Sequence, residues 1–143
     1  MSLGDSSLLC PHNAAKSVLA AAYCRKLATQ RNIAVHVDSA GTHPDSVVSP
    51  LVIKAVQAEG IDVSDYQPRR VTQDEVGAAW RVLSLGCPPD DLPQPLGAVE
   101  YWDDVPPPGQ DLALTRAVII EHINRLLDEQ DPGQWREPPK SGM

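Results

Sequence analysis

Leu8-Leu9-Cys10-Pro11-His12-Asn13-Ala14-Ala15-Lys16-Ser17 is the stretch on which the fold turns. Two leucines close a short apolar run, a cysteine stands at its end, and Lys16-Ser17 lead into an alanine-rich segment, Val18 to Arg31. Val18, Leu19, Ala22, Tyr23 and Leu27 recur at helical spacing, so the order is strand, short loop, helix, with Ser17 the expected N-cap. A loop feeding a helix N-terminus presents unpaired backbone N–H groups and the positive end of the helix dipole, a natural seat for a tetrahedral oxyanion. The same field favours the thiolate of a cysteine at the start of that loop, and Lys16 adds a positive charge at its far end. From the residues alone, Cys10 is either such a nucleophile or a buried, inert strand-end thiol.

Outward from this loop, strands and helices alternate. Ile33 to Asp38 alternates apolar and polar residues and predicts a second strand, closed by Ser39-Ala40-Gly41-Thr42. Pro50, a good first-turn residue, opens a helix expected to reach Glu59, and Gly60 stops it. Thr72-Gln73-Asp74-Glu75 carries the capping-box signature of a short third helix. Trp80–Leu85 and Ala98–Trp102 read as further strands, and Leu112–Glu129 as a last helix whose apolar face is Ile119, Ile120, Ile123, Leu126 and Leu127. This order predicts a mostly parallel sheet with helices on both faces and a site at the C-terminal ends of its strands. Residues 1–130 form one expected domain, and the Pro/Gly-rich segment 131–143 a frayed tail.

Composition narrows the function. The chain has 143 residues, enough for one core, with 42% hydrophobic and 22% charged residues. Its 12 Lys+Arg against 19 Asp+Glu give a net charge of −7, which argues against a nucleic-acid partner. No apolar run approaches the ~20 residues of a membrane span, and the first residues lack a secretory pattern. Three cysteines do not make a disulfide framework, so the expected compartment is the cytoplasm. With no Phe, the core must come from Val, Leu, Ile and Ala. His12, His36, His43 and His122 show no metal-ligand spacing, and neither a metal nor a cofactor is expected.

The loop Cys10–Ser17 resembles the C-x5-R-S phosphate loop of low-molecular-weight protein tyrosine phosphatases and thioredoxin-type arsenate reductases, its His-Asn-Ala core being closer to the latter branch. Three further segments follow in the family's order: Asp38-Ser39-Ala40-Gly41-Thr42 is similar to its S-A-G-T, Gly60-Ile61-Asp62-Val63-Ser64 to its G-I-D-x-S, and Arg69-Arg70-Val71-Thr72 to its R-Q-V-T. The resemblance covers roughly residues 6–130. It implies an α/β fold, a three-layer α/β/α sandwich with a four-stranded parallel sheet and the phosphate loop after strand 1. It also implies a phosphate or arsenate oxyanion, or phosphotyrosine, as substrate.

Carried over, Cys10 is the nucleophile, and Pro11, His12, Asn13, Ala14, Ala15 and Ser17 form the anion cradle with Lys16 as its charge. Asn13, Ser17 and Ser39 supply the hydrogen-bond network behind it. Lys16 stands where the family has arginine; a mobile point charge replaces a planar fork that grips two oxygens, which favours anion binding over turnover. Tyr66 falls where many of these phosphatases carry a histidine. The family's D-P acid motif is absent from Trp102-Asp103-Asp104-Val105-Pro106-Pro107-Pro108; Asp104 is the expected acid and Asp103 the second choice, the alternative for both being solvated turn carboxylates.

Cys87 falls at or beside the redox partner cysteine of arsenate reductases, although Gln94 stands where the thioredoxin-coupled type has its second one. Cys87 is therefore either a resolving thiol or a plain loop residue. Cys24 reads as core, and Arg69 and Arg70 as a surface pair or as compensation for Lys16. Three functions follow from these motifs: a phosphomonoesterase acting through Cys10, an arsenate reductase using Cys10 and Cys87, and a non-catalytic oxyanion or phosphoprotein binder.

Overall fold

The computed structural model describes residues 5–93 and 99–130. Four parallel strands, β1 (Asp5–Leu9), β2 (His36–Ala40), β3 (Arg81–Ser84) and β4 (Val99–Tyr101), stand in the order β2-β1-β3-β4. The helices are α1 (Lys16–Gln30), α2 (Pro50–Gln57), α3 (Gln73–Ala78) and α4 (Leu112–Gln130), with a 3-10 turn at Pro89–Asp91. Alternation along the strands divides the core. Leu8, Val37 and Leu83 pack with α1, α2 and α4 on one face, while Leu9, Ala40 and Val82 meet Val76 of α3 and Leu92 on the other. The three-layer, four-stranded parallel sandwich is therefore as expected. The segments 94–98 and 131–143, including Gln94 and the expected tail, lie outside the described residues.

Two elements begin elsewhere than the sequence suggests. The second strand starts at His36 rather than Ile33, because Ile33 is drawn into the core beneath α1, its N–H donating to the Ala28 carbonyl at 2.8 Å. Helix α1 starts at Lys16 with Ala15 at the N-cap, so Ser17 lies inside the first turn and does not cap it. Its hydroxyl is engaged elsewhere, as shown below. The signals at Pro50 and Gly60 read true: α2 begins at Pro50 and ends at Gln57, three residues before Gly60 at φ 82°. The Thr72–Glu75 capping box is formed in both directions.

The chain leaves β1 toward β2 on one side and returns to β3 on the other. The crevice at this switch point lies at the carboxyl end of β1, and Cys10 is the next residue.

Candidate active site

Residues 10–16 wrap around a cleft of about 350 Å³ lined by Cys10, Lys16, Leu85, Gly86 and the ends of two loops. Backbone bonds to the 43–49 segment fix its shape. Pro11 O accepts from His43 N (2.7 Å), His12 O from Asp45 N (2.9 Å) and Ala14 O from Ser49 N (2.9 Å). In a planar trans peptide, a carbonyl and the following N–H point opposite ways. Pinning these three carbonyls to the outer loop therefore turns the N–H groups of His12, Asn13 and Ala15 inward, an arrangement that binds anions. Helix α1 adds its N-terminus, which carries no acidic residue in its first turn and no side-chain cap.

The loop is braced from behind. Asn13 is fully buried at φ 50°, a left-handed conformation that asparagine tolerates. Its Oδ1 accepts from Tyr66 Oη (2.8 Å) and Arg69 N (2.9 Å), while its Nδ2 donates to Ser17 Oγ (2.8 Å). Ser39 Oγ donates to Tyr66 Oη at 2.7 Å, so the predicted trio Asn13, Ser17 and Ser39 is joined through Tyr66. Ser17 Oγ, which accepts from Asn13, also lies in hydrogen-bond contact with the Cys10 sulfur, 3.0 Å away. The backbone N–H of Ser17 also donates to that sulfur at 3.3 Å. Gly41 closes the rear: a Cβ there would lie 2.6 Å from Pro11 O and 2.8 Å from Cys10 O.

The three thiols are free and buried but not alike. Burial pushes Cys24 up to about 12. Burial, then the neighbouring Cys10, pushes Cys87 up to about 11. Cys10 lines the cleft, where its sulfur contacts Ser17 Oγ and accepts from Ser17 N at the start of α1. Lys16 also lines the cleft, its Nζ over Gly86, 3.9 Å from where a Cβ would sit.

The late loop departs from expectation. Asp104 does not line the cleft: its Oδ1 is bound to His122 Nε2 on α4 at 2.7 Å, and that contact holds its carboxyl below the usual range. The His122 ring is in turn stacked on buried Trp102, centroids 4.5 Å apart. Asp103 borders a neighbouring depression with Cys87 and Tyr101. What this loop contributes to the cleft is Pro107 and Pro108. The expectation that Asp104 faces the nucleophile is thus corrected, because the Trp102–His122–Asp104 contacts turn it toward α4.

Arg69 and Arg70 do not line the cleft either. Arg69 forms a two-pronged ion pair with Glu75, and Arg70 donates to the Thr42 carbonyl at 2.9 Å. Asp45 and Ser49, which sequence reasoning missed, do line it, as does His12. The residues around 45 show no periodicity, and only their bonds to the loop carbonyls bring them there.

Among the described residues, no cluster of three or more His, Cys, Asp or Glu could hold a metal ion. No helix among them is long and apolar enough to cross a membrane. A larger groove of about 500 Å³ runs between α1 and residues 59–63, but its walls carry neither cysteine nor histidine, so the chemistry belongs to the smaller cleft.

Comparison with known proteins agrees with this geometry. The sequence profile of the family described as "Low molecular weight phosphotyrosine protein phosphatase" matches residues 7–86. A protein of Halobacterium salinarum named "Putative arsenate reductase" is 29% identical over 129 residues, covering 87% of this chain and 91% of its own. The thioredoxin-dependent arsenate reductase of Corynebacterium glutamicum superposes with a TM-score of 0.76 at 26% identity, over 92% of this chain and 64% of that one. A low molecular weight protein tyrosine phosphatase of T. tengcongensis shares the fold, with a TM-score of 0.70 at 16% identity over 89% and 99% of the two chains.

Proposed function

Because the chain belongs to the low molecular weight phosphotyrosine protein phosphatase family, we propose that it is a cysteine-dependent phosphomonoesterase. The observation that carries this reading is the sulfur of Cys10 at the base of the cleft, hydrogen-bonded to Ser17 N and Ser17 Oγ beside inward-turned amides. The Cys10 thiolate attacks phosphorus, and the S–P bond forms as the ester oxygen leaves. Lys16 and the N–H groups of His12, Asn13 and Ala15 carry the charge of the three equatorial oxygens. Pro11, Ala14 and Ala15 form the apolar wall against the ester group. The side chains of Asn13, Ser17, Ser39 and Tyr66 hold the loop in shape. Water then releases phosphate and restores the thiolate. Three free cysteines support a cytoplasmic setting, where thiols stay reduced.

Incubation with an aryl phosphate should release phosphate, and Cys10→Ser should abolish that release while leaving the fold intact by circular dichroism. Equal rates for the two proteins would end the proposal.

The position of Cys87 favours a second reading, reduction of arsenate. Cys87 is close enough to Cys10 for the charge of Cys10 to help raise the Cys87 thiol, and it directly follows Gly86, which lines the cleft. In this reaction the Cys10 sulfur bonds to arsenic as one arsenate oxygen leaves as water. The Cys87 thiolate then attacks the Cys10 sulfur, the S–As bond breaks with its electron pair on arsenic, and arsenite leaves as the Cys10–Cys87 disulfide forms. A thiol reductant must reopen it. Thiol titration before and after arsenate should show two thiols lost per turnover; no loss would remove this reading.

A further inference from the structure

Asp104 is bound to His122, and the late loop lines the cleft with Pro107 and Pro108 and with neither of its aspartates. We propose that His12, held by Asp45, takes that role: the loop that binds the anion also carries the acid. The inference rests on the phosphomonoesterase reading above and names the proton donor it requires.

Both residues line the cleft. His12 Nδ1 lies 3.2 Å from Asp45 Oδ1 and 3.2 Å from the His43 carbonyl oxygen. A carbonyl oxygen can only accept, so Nδ1 keeps its hydrogen whether the ring is charged or neutral. The proton that comes and goes is therefore on Nε2. This is the arrangement of an oriented acid–base histidine, one nitrogen fixed by acceptors and the other free to work. Two backbone bonds lock the pair, His43 N to Pro11 O and Asp45 N to His12 O. His12 and Asp45 are both exposed, so the pair that lines the cleft is also open to solvent. Lys16 shares the cleft and carries the anion's charge, so the histidine is not needed as the counter-ion.

The balance is simple. As Cys10 Sγ bonds to phosphorus, the P–O bond breaks with its electron pair on the ester oxygen, which takes the proton from Nε2. A water molecule then attacks phosphorus and gives its proton to Nε2. The S–P electron pair returns to sulfur and phosphate leaves. Asp45 is a positioning residue throughout.

His12→Asn suits the test, because asparagine places an N–H near the position of Nδ1 and removes Nε2. Loss of a proton donor should lower kcat/KM by about 10²-fold or more for phenyl phosphate, a poor leaving group. It should cost far less for p-nitrophenyl phosphate, whose oxygen departs without a proton. Asp45→Asn should reproduce the same split in weaker form. Equal losses on both esters, or none, would overturn the assignment. Cys10→Ser, silent on both esters, separates failure of this inference from failure of the underlying reading. Should the native enzyme hydrolyse neither ester, nitrogen-15 NMR of the histidine rings decides the assignment. A neutral His12 ring with its hydrogen on Nδ1, whose Nε2 resonance moves on adding inorganic phosphate, supports it; an Nε2–H ring, or indifference to phosphate, refutes it.

Discussion

Gly41→Ala is the sharpest test of the cradle, since it touches no reacting group and acts only through shape. The new Cβ would lie 2.6 Å from Pro11 O, 2.8 Å from Cys10 O and 3.0 Å from Asn13 Cβ. Carbon–oxygen contacts of this kind settle at ~3.3 Å or more, so roughly 0.7 Å must be found. Gly41 cannot supply it freely, because its N–H donates to Arg69 O and its carbonyl accepts from Val71 N, each at 2.9 Å. The phosphate loop must move instead. Overpacking of this kind costs about 1–3 kcal/mol. For a domain of this size that is a fall in Tm of roughly 3–10 °C. A displacement of that order in the inward amides should also cut turnover by about 10- to 10²-fold. Thermal melting by circular dichroism and the rate of aryl phosphate hydrolysis measure the two effects, with calorimetric titration of phosphate reporting the shape of the loop directly. Gly109→Ala, where a Cβ meets nothing within 4 Å, is the control. A Gly41→Ala protein that melts with the native one and binds phosphate equally well would refute the account of how the loop is held.

Two further predictions follow from charge. Lys16→Arg replaces a point charge with a fork for two equatorial oxygens, and Gly86 beside the Lys16 Nζ leaves room for the larger head group. Hydrolysis of an aryl phosphate should rise by about 10²-fold, the scale of one oxyanion donor, and a fall would mean that the cleft is fitted to lysine. Glu59 is held down to about 2 from 4.5, first by its hydrogen bond from Arg116 and also by that from Tyr23. A carboxylate depressed in the folded state contributes stability that is whole above 4.5 and is lost as the pH falls toward 2. Arg116→Gln should therefore flatten the decline of the urea midpoint across that window, and an unchanged slope would sink the assignment.

The site was legible in the sequence to the extent that local chemistry makes it. The loop is built by consecutive residues, so Cys10 and Lys16 could be read from a strand, a short loop and a helix in succession, whereas Asn13 was singled out only by the resemblance to the family. Ser17 shows the limit of such rules. A serine ahead of an apolar run is the ordinary cap signal, yet Asn13 and Cys10 engage its hydroxyl and the helix begins two residues earlier, with Ala15 at the N-cap. Asp104 shows a different limit. Which residue between Trp102 and Pro108 meets the anion is decided by His122, from another element, and no spacing within the loop encodes it. Asp45 was invisible for the same reason, since its place depends on backbone bonds to Pro11, His12 and Ala14.

The two departures in this cleft act on separable steps. A lysine attracts the anion before and during reaction to a similar degree, so it lowers the energy of the bound ground state nearly as much as that of the transition state, which does little for kcat. A late loop that lines the cleft with prolines and not with its aspartates leaves the anion seat intact and bears only on the proton that a poor leaving group needs. Reduction of arsenate is less exposed to this second loss, because arsenite is released by attack of Cys87 on sulfur and not by protonation of an ester oxygen. The balance between the two activities is therefore set by His12 more than by Lys16. Lys16→Arg should raise hydrolysis of both esters together, whereas His12→Asn should separate phenyl from p-nitrophenyl phosphate and leave the two-thiol stoichiometry with arsenate unchanged. Were both substitutions to change the same quantity in the same proportion, anion binding and proton delivery would be one function of this loop and not two.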